Sequence, residues 1–398
     1  IYRLGSYIIL PGIDAEMLEG LRGQTKNNIL GLINTFAGGA FARGAIFALG
    51  IMPYISASIF MQLVSIAIPS FQRIQKEGEE GRRKINQYTR ILTIIFTTVQ
   101  AYAYLNNIIS TPGNQGALLF NYGDVMSKSM FLITNVFLLT AGTMFTMWMG
   151  ERITDRGLGN GISLIIMVGI IARLPSALVG EFLFRLTKGG PILFLVEMVI
   201  WFLVVLLVIM LTQGTRKISV NYAKRVVGNR QYGGVRNYLP IKILAAGVMP
   251  IIFAQALLFL PATIGSFYTE TTAPGWLMSL MNPYGFWHNA FLVFLIIVFT
   301  YFYTVILFNP VQMADEMKRN NGFIPGVKPG KQTANFIDEV ITRITLPGAI
   351  FISLIAVLPV FAVQANVNQE FSQFYGGTSL LILVGVVLDT LQQIESYL

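Results

Sequence analysis

The 398-residue chain is 54% hydrophobic and only 12% charged, with 28 Lys and Arg against 19 Asp and Glu and a formal net charge of +9. Soluble domains carry roughly twice that charged fraction, so the composition indicates a membrane protein and overrides the roughly two or three soluble domains that length alone would suggest. There is no cysteine and a single histidine, His288; disulfides and thiolate metal sites are excluded, a histidine metal cluster or relay is disfavoured, and no cofactor is expected.

In chain order, the apolar run Ile1–Leu10 reads as the truncated end of a first span, with no cleavable leader in view. The apolar piece Gly31–Phe41 is too short to cross a bilayer. A Gly-rich, Arg-bearing break follows at Gly38–Gly44, and then a run long enough to span, from Ala45 to Ile68. Broken backbone at membrane depth is tolerated where it is buried in protein or lines a water-filled cavity. The stretch therefore suggests a pathway through the membrane and not merely an anchor in it. At about 20 apolar residues per crossing, the runs 45–68, 91–109, 128–149, 161–179, 192–212, 243–262, 288–309, 344–364 and 378–396 predict nine spans, and the first run makes a tenth. Pro69, Pro175, Pro191, Pro261 and Pro310 mark span ends, while Pro53 and Pro250 fall inside spans and should kink them.

Charge sets the topology. Loops 69–90, 150–160, 213–242 and 310–343 alternate along the chain and hold 20 of the 28 Lys and Arg; loops 110–127, 261–287 and 365–377 hold none. By the positive-inside rule the basic loops are cytoplasmic, as is the N-terminus, and the half-crossing enters from the outer face. Five spans per half give the halves opposite orientation, the arrangement of an inverted repeat, although no residue-level repeat is evident.

Intramembrane charge is sparse. Glu197 and Asp389 lie within spans with no obvious cationic partner, which suits structural or interfacial roles. Gln62, Gln100, Gln255, Asn135 and Ser56 fit interhelical hydrogen bonding or a polar patch on an interface that opens. The RGLGNG run at 156–161 lacks the context and lysine of a phosphate loop and reads as a tight turn. No nucleophile–base set or paired carboxylates appear, so an enzyme has no support. Loop 213–242 carries seven cations, no acid, and the interleaved Tyr222, Tyr232 and Tyr238. That pattern suits RNA phosphate and stacking contacts, or a topology signal that also meets anionic lipid. Its length exceeds a simple connector and favours a docking surface for a cytoplasmic partner.

Long motifs in order along the chain carry a resemblance: YRLGSYIILPGID (2–14), FALGIMPYISASI (47–59), KEGEEGRRKINQYTR (76–90), GERITDRGLGNGISLII (150–166), VNYAKR (220–225), AAGVMPIIFA (245–254), GFIPGVKPGKQT (322–333) and GGTSLLI (376–382). On these the chain resembles the SecY family, the channel subunits of the bacterial Sec protein-export translocon. The resemblance implies an all-α polytopic membrane protein of ten helices in two inverted five-helix halves, 1–179 and 192–398, hinged at an outer loop over 180–191 around a central pore. It implies a plug half-helix at about 29–43, with Asn34, Phe36, Gly38, Gly39 and Ala40, and a pore ring of Ile51, Ile55, Ile162, Ile166, Ile252 and Ile382. Branched aliphatic side chains close around an extended peptide without offering hydrogen bonds, and an empty apolar ring dewets.

The resemblance also places a lateral gate between the Ala45–Ile68 and Leu244–Leu260 spans, with Ser56, Gln62, Gln100 and Leu244. Partner docking falls to Arg82, Arg83, Lys224, Arg225, Arg230, Arg236 and Lys328. The implied partners are the small membrane subunits SecE and SecG, the SecA ATPase, the ribosome through its rRNA and protein, signal peptides and unfolded preproteins, and the lipid bilayer. The implied location is the bacterial inner membrane. Two positions depart from the family: Leu244 stands where an asparagine is frequent, which removes a polar partner at the gate, and Lys328 stands where arginine is usual, a point charge in place of a planar fork. The competing readings are a secondary transporter of a small solute, which would want polar ligands at the midplane, and a scaffold that anchors ribosomes by its basic loops.

Overall fold

The computed structural model describes the chain apart from residues 16, 19–20, 22–29, 112–113, 115–116, 119–126, 158, 188–189, 223–224, 228–229, 233–235, 245–246, 266–273, 321 and 398. The first apolar run is helical only over α1 (Tyr2–Gly5), after which Ile9 forms an isolated bridge with Ala45. A short helix α2 (Leu30–Phe36) leads through turns at 37–51 into α3 (Met52–Ala67). The span expected at 45–68 is thus helical only from Met52. Gly44 and Gly50 take φ of +65° and +56°, which side chains with a Cβ rarely adopt. Pro53 then falls in the first turn of α3, where its missing N–H costs nothing, and it does not kink the helix.

The basic segment after α3 is also helical. It comprises α4 (Pro69–Lys76) and the start of α5 (Glu79–Ser110), whose far portion is the span expected at 91–109. Next come α6 (Lys128–Asp155), capped by the Ser127 hydroxyl, and α7 (Gly161–Thr187). Pro175 sits inside α7 instead of ending it. The connection expected over 180–191 is helical through Thr187, residues 188–189 lie outside the described residues, and α8 spans Pro191–Gln213.

The loop after α8 folds as strands β1 (Thr215–Tyr222), β2 (Arg225–Val227), β3 (Arg230–Tyr232) and β4 (Arg236–Lys242). Helix α9 (Met249–Gly265) starts six residues later than expected, so Pro250 lies in its first turn and Pro261 within it. The chain closes with α10 (Gly275–Met281), α11 (Phe286–Leu307), α12 (Pro310–Arg319), β5 (Gly322–Phe323), α13 (Lys331–Gln364), α14 (Gln369–Ser372) and α15 (Gly377–Tyr397).

Among the described residues six helices, α6, α7, α8, α11, α13 and α15, are long and apolar enough to cross a membrane; α3 and α9 are shorter apolar helices. Helices α3, α5, α6 and α7 pack in succession, as do α9, α11, α13 and α15, and the two sets meet where α3 touches α9 and α15 touches α7. One large apolar cluster runs through both sets, and a second fills the first set around Leu10, Phe41, Leu105 and Phe131. Strand β1 pairs antiparallel with β4, Ser219 opposite Tyr238, and with β5, Asn221 opposite Phe323, giving the order β4-β1-β5. Pro240 is tolerated because β4 is an edge strand. Ile218, Ile241, Ile324, Ile337 and Ile341 form the separate core that seats this sheet on α13.

Candidate functional site

The broken segment is held by residues far apart in the chain. From α1, the Tyr2 hydroxyl reaches Phe36 O at 3.4 Å and Arg3 Nη1 donates to Gly38 O at 2.6 Å. From the end of α14, Gln373 Oε1 accepts from the Thr35 hydroxyl at 2.6 Å. Asn34 is buried; its Oδ1 accepts from Ala42 N at 3.0 Å and its carbonyl accepts from Gly39 N at 2.7 Å, so one residue closes the whole glycine turn. Gly38 and Gly39 take φ of +63° and +89°. Gly169 of α7 lies so close that a Cβ there would collide with Phe36 O.

Phe36, Ala37 and Ala40 are buried in the large apolar cluster, and all six isoleucines singled out in the sequence come to that same cluster. Ile51 caps α3 and its carbonyl accepts from Ile55 N at 3.1 Å, so the pair share one face. Ile162 and Ile166 come from the first turns of α7, Ile252 from α9 and Ile382 from α15. Five are buried to 5% exposure or less, and Ile162 is half-buried against the others. Four helices from both sets therefore deliver aliphatic groups to the cluster that also buries Phe36, Ala37 and Ala40 of the broken segment.

The residues expected on one interface divide. Ser56 is buried but its hydroxyl turns back to Met52 O at 3.2 Å, a bond within α3. Gln62 accepts a hydrogen bond from the Tyr303 hydroxyl of α11 and donates to Ser58 Oγ at 3.3 Å, so it ties α3 to α11. Tyr303 was not legible as a partner, because nothing in the run 299–303 sets one tyrosine apart from its aromatic neighbours. Gln100 is half-buried on α5. Leu244 lies in the turn before α9 and not in a helical span; it is buried, with Cδ2 beside Gly348 of α13.

Glu197 departs from the sequence reading, which found it no cation. Arg185 of α7 pairs with it and, through Nε at 3.0 Å, with Glu181; all three side chains are buried. Arg185 Nη2 also donates to Asn366 O at 3.0 Å, and Glu181 Oε2 accepts from Asn368 N at 2.8 Å. The signal was present: Glu181 and Arg185 stand four apart, the spacing of a helical ion pair, but they fell in a stretch read as loop. The run at 156–161 is a turn as expected, with Gly157 and Gly159 at φ of +82° and +84° and Asn160 Oδ1 accepting from Ile162 N and Ser163 N at 3.1 and 3.3 Å.

Of the cations expected on a docking face, Arg82 and Arg83 are exposed at the start of α5, and Lys328 is exposed in the turn after β5. Arg225 and Arg230 lie on β2 and β3, and Arg236 opens β4; Lys224 lies outside the described residues. The pairing of β5 with β1 joins the two basic segments in the sheet β4-β1-β5, which carries Arg236, while β2 and β3 with Arg225 and Arg230 form a separate two-stranded sheet.

Comparison with known proteins gives one consistent picture. The family model described as SecY matches residues 45–391. The chain is 43% identical over 402 residues to the protein translocase subunit SecY of Escherichia coli K12, covering 100% of this chain and 88% of that one. It is 42% identical over 408 residues to the protein translocase subunit SecY of Streptomyces scabiei, covering 100% and 92%. Among solved structures, a protein-conducting channel superposes with a TM-score of 0.67 at 19% identity, covering 99% of this chain and 89% of that one. Sec61 in the canine ribosome–channel complex superposes with 0.62 at 19% identity, covering 99% and 89%. At these identities the structural likeness establishes the fold.

Proposed function

We infer that this chain, which belongs to the SecY family, is the channel subunit of a protein translocase, a conduit that passes unfolded preproteins across the membrane and releases transmembrane segments sideways into lipid. The observation that carries this reading is the broken segment 30–51, buried against an aliphatic cluster to which four helices from both sets contribute. In this reading residues 29–43, of which 29 lies outside the described residues, are the plug and the six isoleucines are the seal around a moving chain. Isoleucine side chains fit an extended peptide of any sequence, since they offer it no hydrogen bond to break, and they shed water when the peptide has passed.

The gate is the α3–α9 contact, with Gln62 and Tyr303 as a polar clasp at its edge. The halves 1–179 and 192–398 hinge over residues 180–191. The energy for movement comes from partners on the basic face, the SecA ATPase or a translating ribosome, with SecE and SecG as membrane companions. The alternation of basic and charge-free loops supports a bacterial inner-membrane location with the N-terminus cytoplasmic. A small-solute transporter is disfavoured, because aliphatic groups stand where it would hold polar ligands.

The test is reconstitution of the chain with its companion subunits in vesicles, followed by ATP-driven import of an unfolded preprotein. Protease-protected preprotein that requires this chain supports the reading; none in a sealed, correctly assembled vesicle overturns it.

A further inference from the structure

Three arginines that this function does not use meet at one cavity beside the broken segment. Arg3 comes from α1, Arg43 from the turns after α2, and Arg173 from the middle of α7; with Asn34, Thr35 and Glu370 they line a space of about 420 Å3. Among the described residues no carboxylate lies within ion-pair distance of any of the three guanidinium groups, and Glu370 is the only acid in the lining. The positions of two of them are set. Arg3 donates from Nη1 to Gly38 O and from Nη2 to the Tyr7 hydroxyl, at 2.6 and 3.0 Å. Arg43 lies over the Tyr7 ring, 4.2 Å from its centroid, and its Nη1 is buried with no hydrogen-bond partner.

A buried donor without a partner is costly, and three cations around one space repel one another. An anion in the space would relieve both at once. Planar guanidinium forks match the oxygens of phosphate, and they do so from fixed positions with little ordering left to perform.

We propose that this cavity is a binding site for a phosphate-class oxyanion, held by Arg43 and Arg173 with Arg3 at its plug-side wall. The phosphate group belongs either to free inorganic phosphate or to the headgroup of an anionic phospholipid; the cavity is larger than one phosphate needs and admits either.

The chain has no cysteine, so Ser176→Cys, on the cavity wall, supplies a single reporter thiol. The full chain with its companion subunits in phosphatidylcholine nanodiscs is labelled with an anionic and with a cationic methanethiosulfonate of similar size. A positive cleft concentrates anions, so the anionic reagent is expected to react faster than the cationic one by about tenfold relative to the same pair at an exposed control thiol, Ser396→Cys. Inorganic phosphate should slow the anionic reagent saturably, where chloride of equal ionic strength does not. Arg43→Gln and Arg173→Gln should each abolish that protection, while Arg173→Lys keeps part of it; an unchanged rate with an uncharged methanethiosulfonate, which the local potential does not bias, confirms that the cavity is intact. If phosphatidylglycerol in the disc protects the thiol with no phosphate added, the ligand is a headgroup; if only added phosphate protects, it is the free ion. Absence of saturable protection by both, or protection that survives both Arg→Gln changes, overturns the site.

Discussion

Replacing Arg185 with leucine leaves Glu181 and Glu197 buried side by side without a counter-charge. Breaking a buried pair in this way costs about 3–5 kcal/mol, and the loss falls where α7, α8 and the segment 366–368 meet. Arg185→Leu is therefore expected to lower the melting temperature of the purified chain, and the double change Glu181→Gln with Glu197→Gln added to it should recover much of the loss. No recovery would mean that Arg185 acts by packing and not by charge. Gly169 is a second position where one atom decides the outcome. A side chain there meets Phe36 O, and overpacking of this kind costs about 1–3 kcal/mol. Gly169→Val should push the segment 30–38 out of the apolar cluster, read as raised ion conductance of the resting chain in a planar bilayer. Neither position is legible in advance. A glycine in an apolar helix has many uses, and an ion pair at helical spacing is recognisable only once its stretch is known to be helix.

At the scale of elements, the long spans are legible because about 20 apolar residues bounded by charge leave the backbone little choice but helix. The expected runs 91–109, 128–149, 161–179, 192–212, 344–364 and 378–396 each fall inside one helix, and 288–309 overruns the end of α11 by two residues. The starts of α3 and α9 are not legible, since apolar residues continue through turns whose backbone is buried in protein instead of lipid. The hairpin after α8 did carry a signal that the sequence reading passed over. Ile218 and Val220 alternate with polar neighbours, as do Leu239 and Ile241 on the partner strand, and these are the residues that face the core under the sheet or pack near it. Seven cations in the same stretch obscure that period of two. Between elements, Gln62 bridges α3 and α11 through Tyr303. Tyr303→Phe removes the donor and leaves the ring in place. If this contact keeps α3 seated, export of a preprotein with a weakened signal sequence should rise several-fold, while thermal stability falls by about 1 kcal/mol, the worth of one hydrogen bond; unchanged export would take Tyr303 out of the gate.

At the scale of the whole molecule, the proposed seal belongs to no single helix. Ile51, Ile55, Ile162, Ile166, Ile252 and Ile382 are spread over some 330 positions of sequence and gather only when both sets of helices close. Composition cannot reveal such a gathering, because an isoleucine in a membrane helix is ordinary. Changing three or more of the six to serine should raise ion conductance in planar bilayers well above that of the unaltered chain, and conductance no higher would remove the cluster from the permeation path. Lys328, exposed beside the sheet, is expected to act on the opposite side of the problem. Lys328→Glu should weaken binding of SecA or of ribosomes to reconstituted vesicles and leave the helical content intact, and equal affinity would exclude it from the docking face. The sheet has a mechanical consequence for both ends of that problem. Strand β1 leaves α8 after the single residue Gly214, β4 runs through Ile243, whose N–H bonds Gly214 O at 2.9 Å, toward α9, and β5 is stitched between α12 and α13. Whatever grips this three-stranded plate pulls on the bases of α8, α9 and α13 together, so a torque applied outside the bilayer is shared among three helices at once, one of which borders α3.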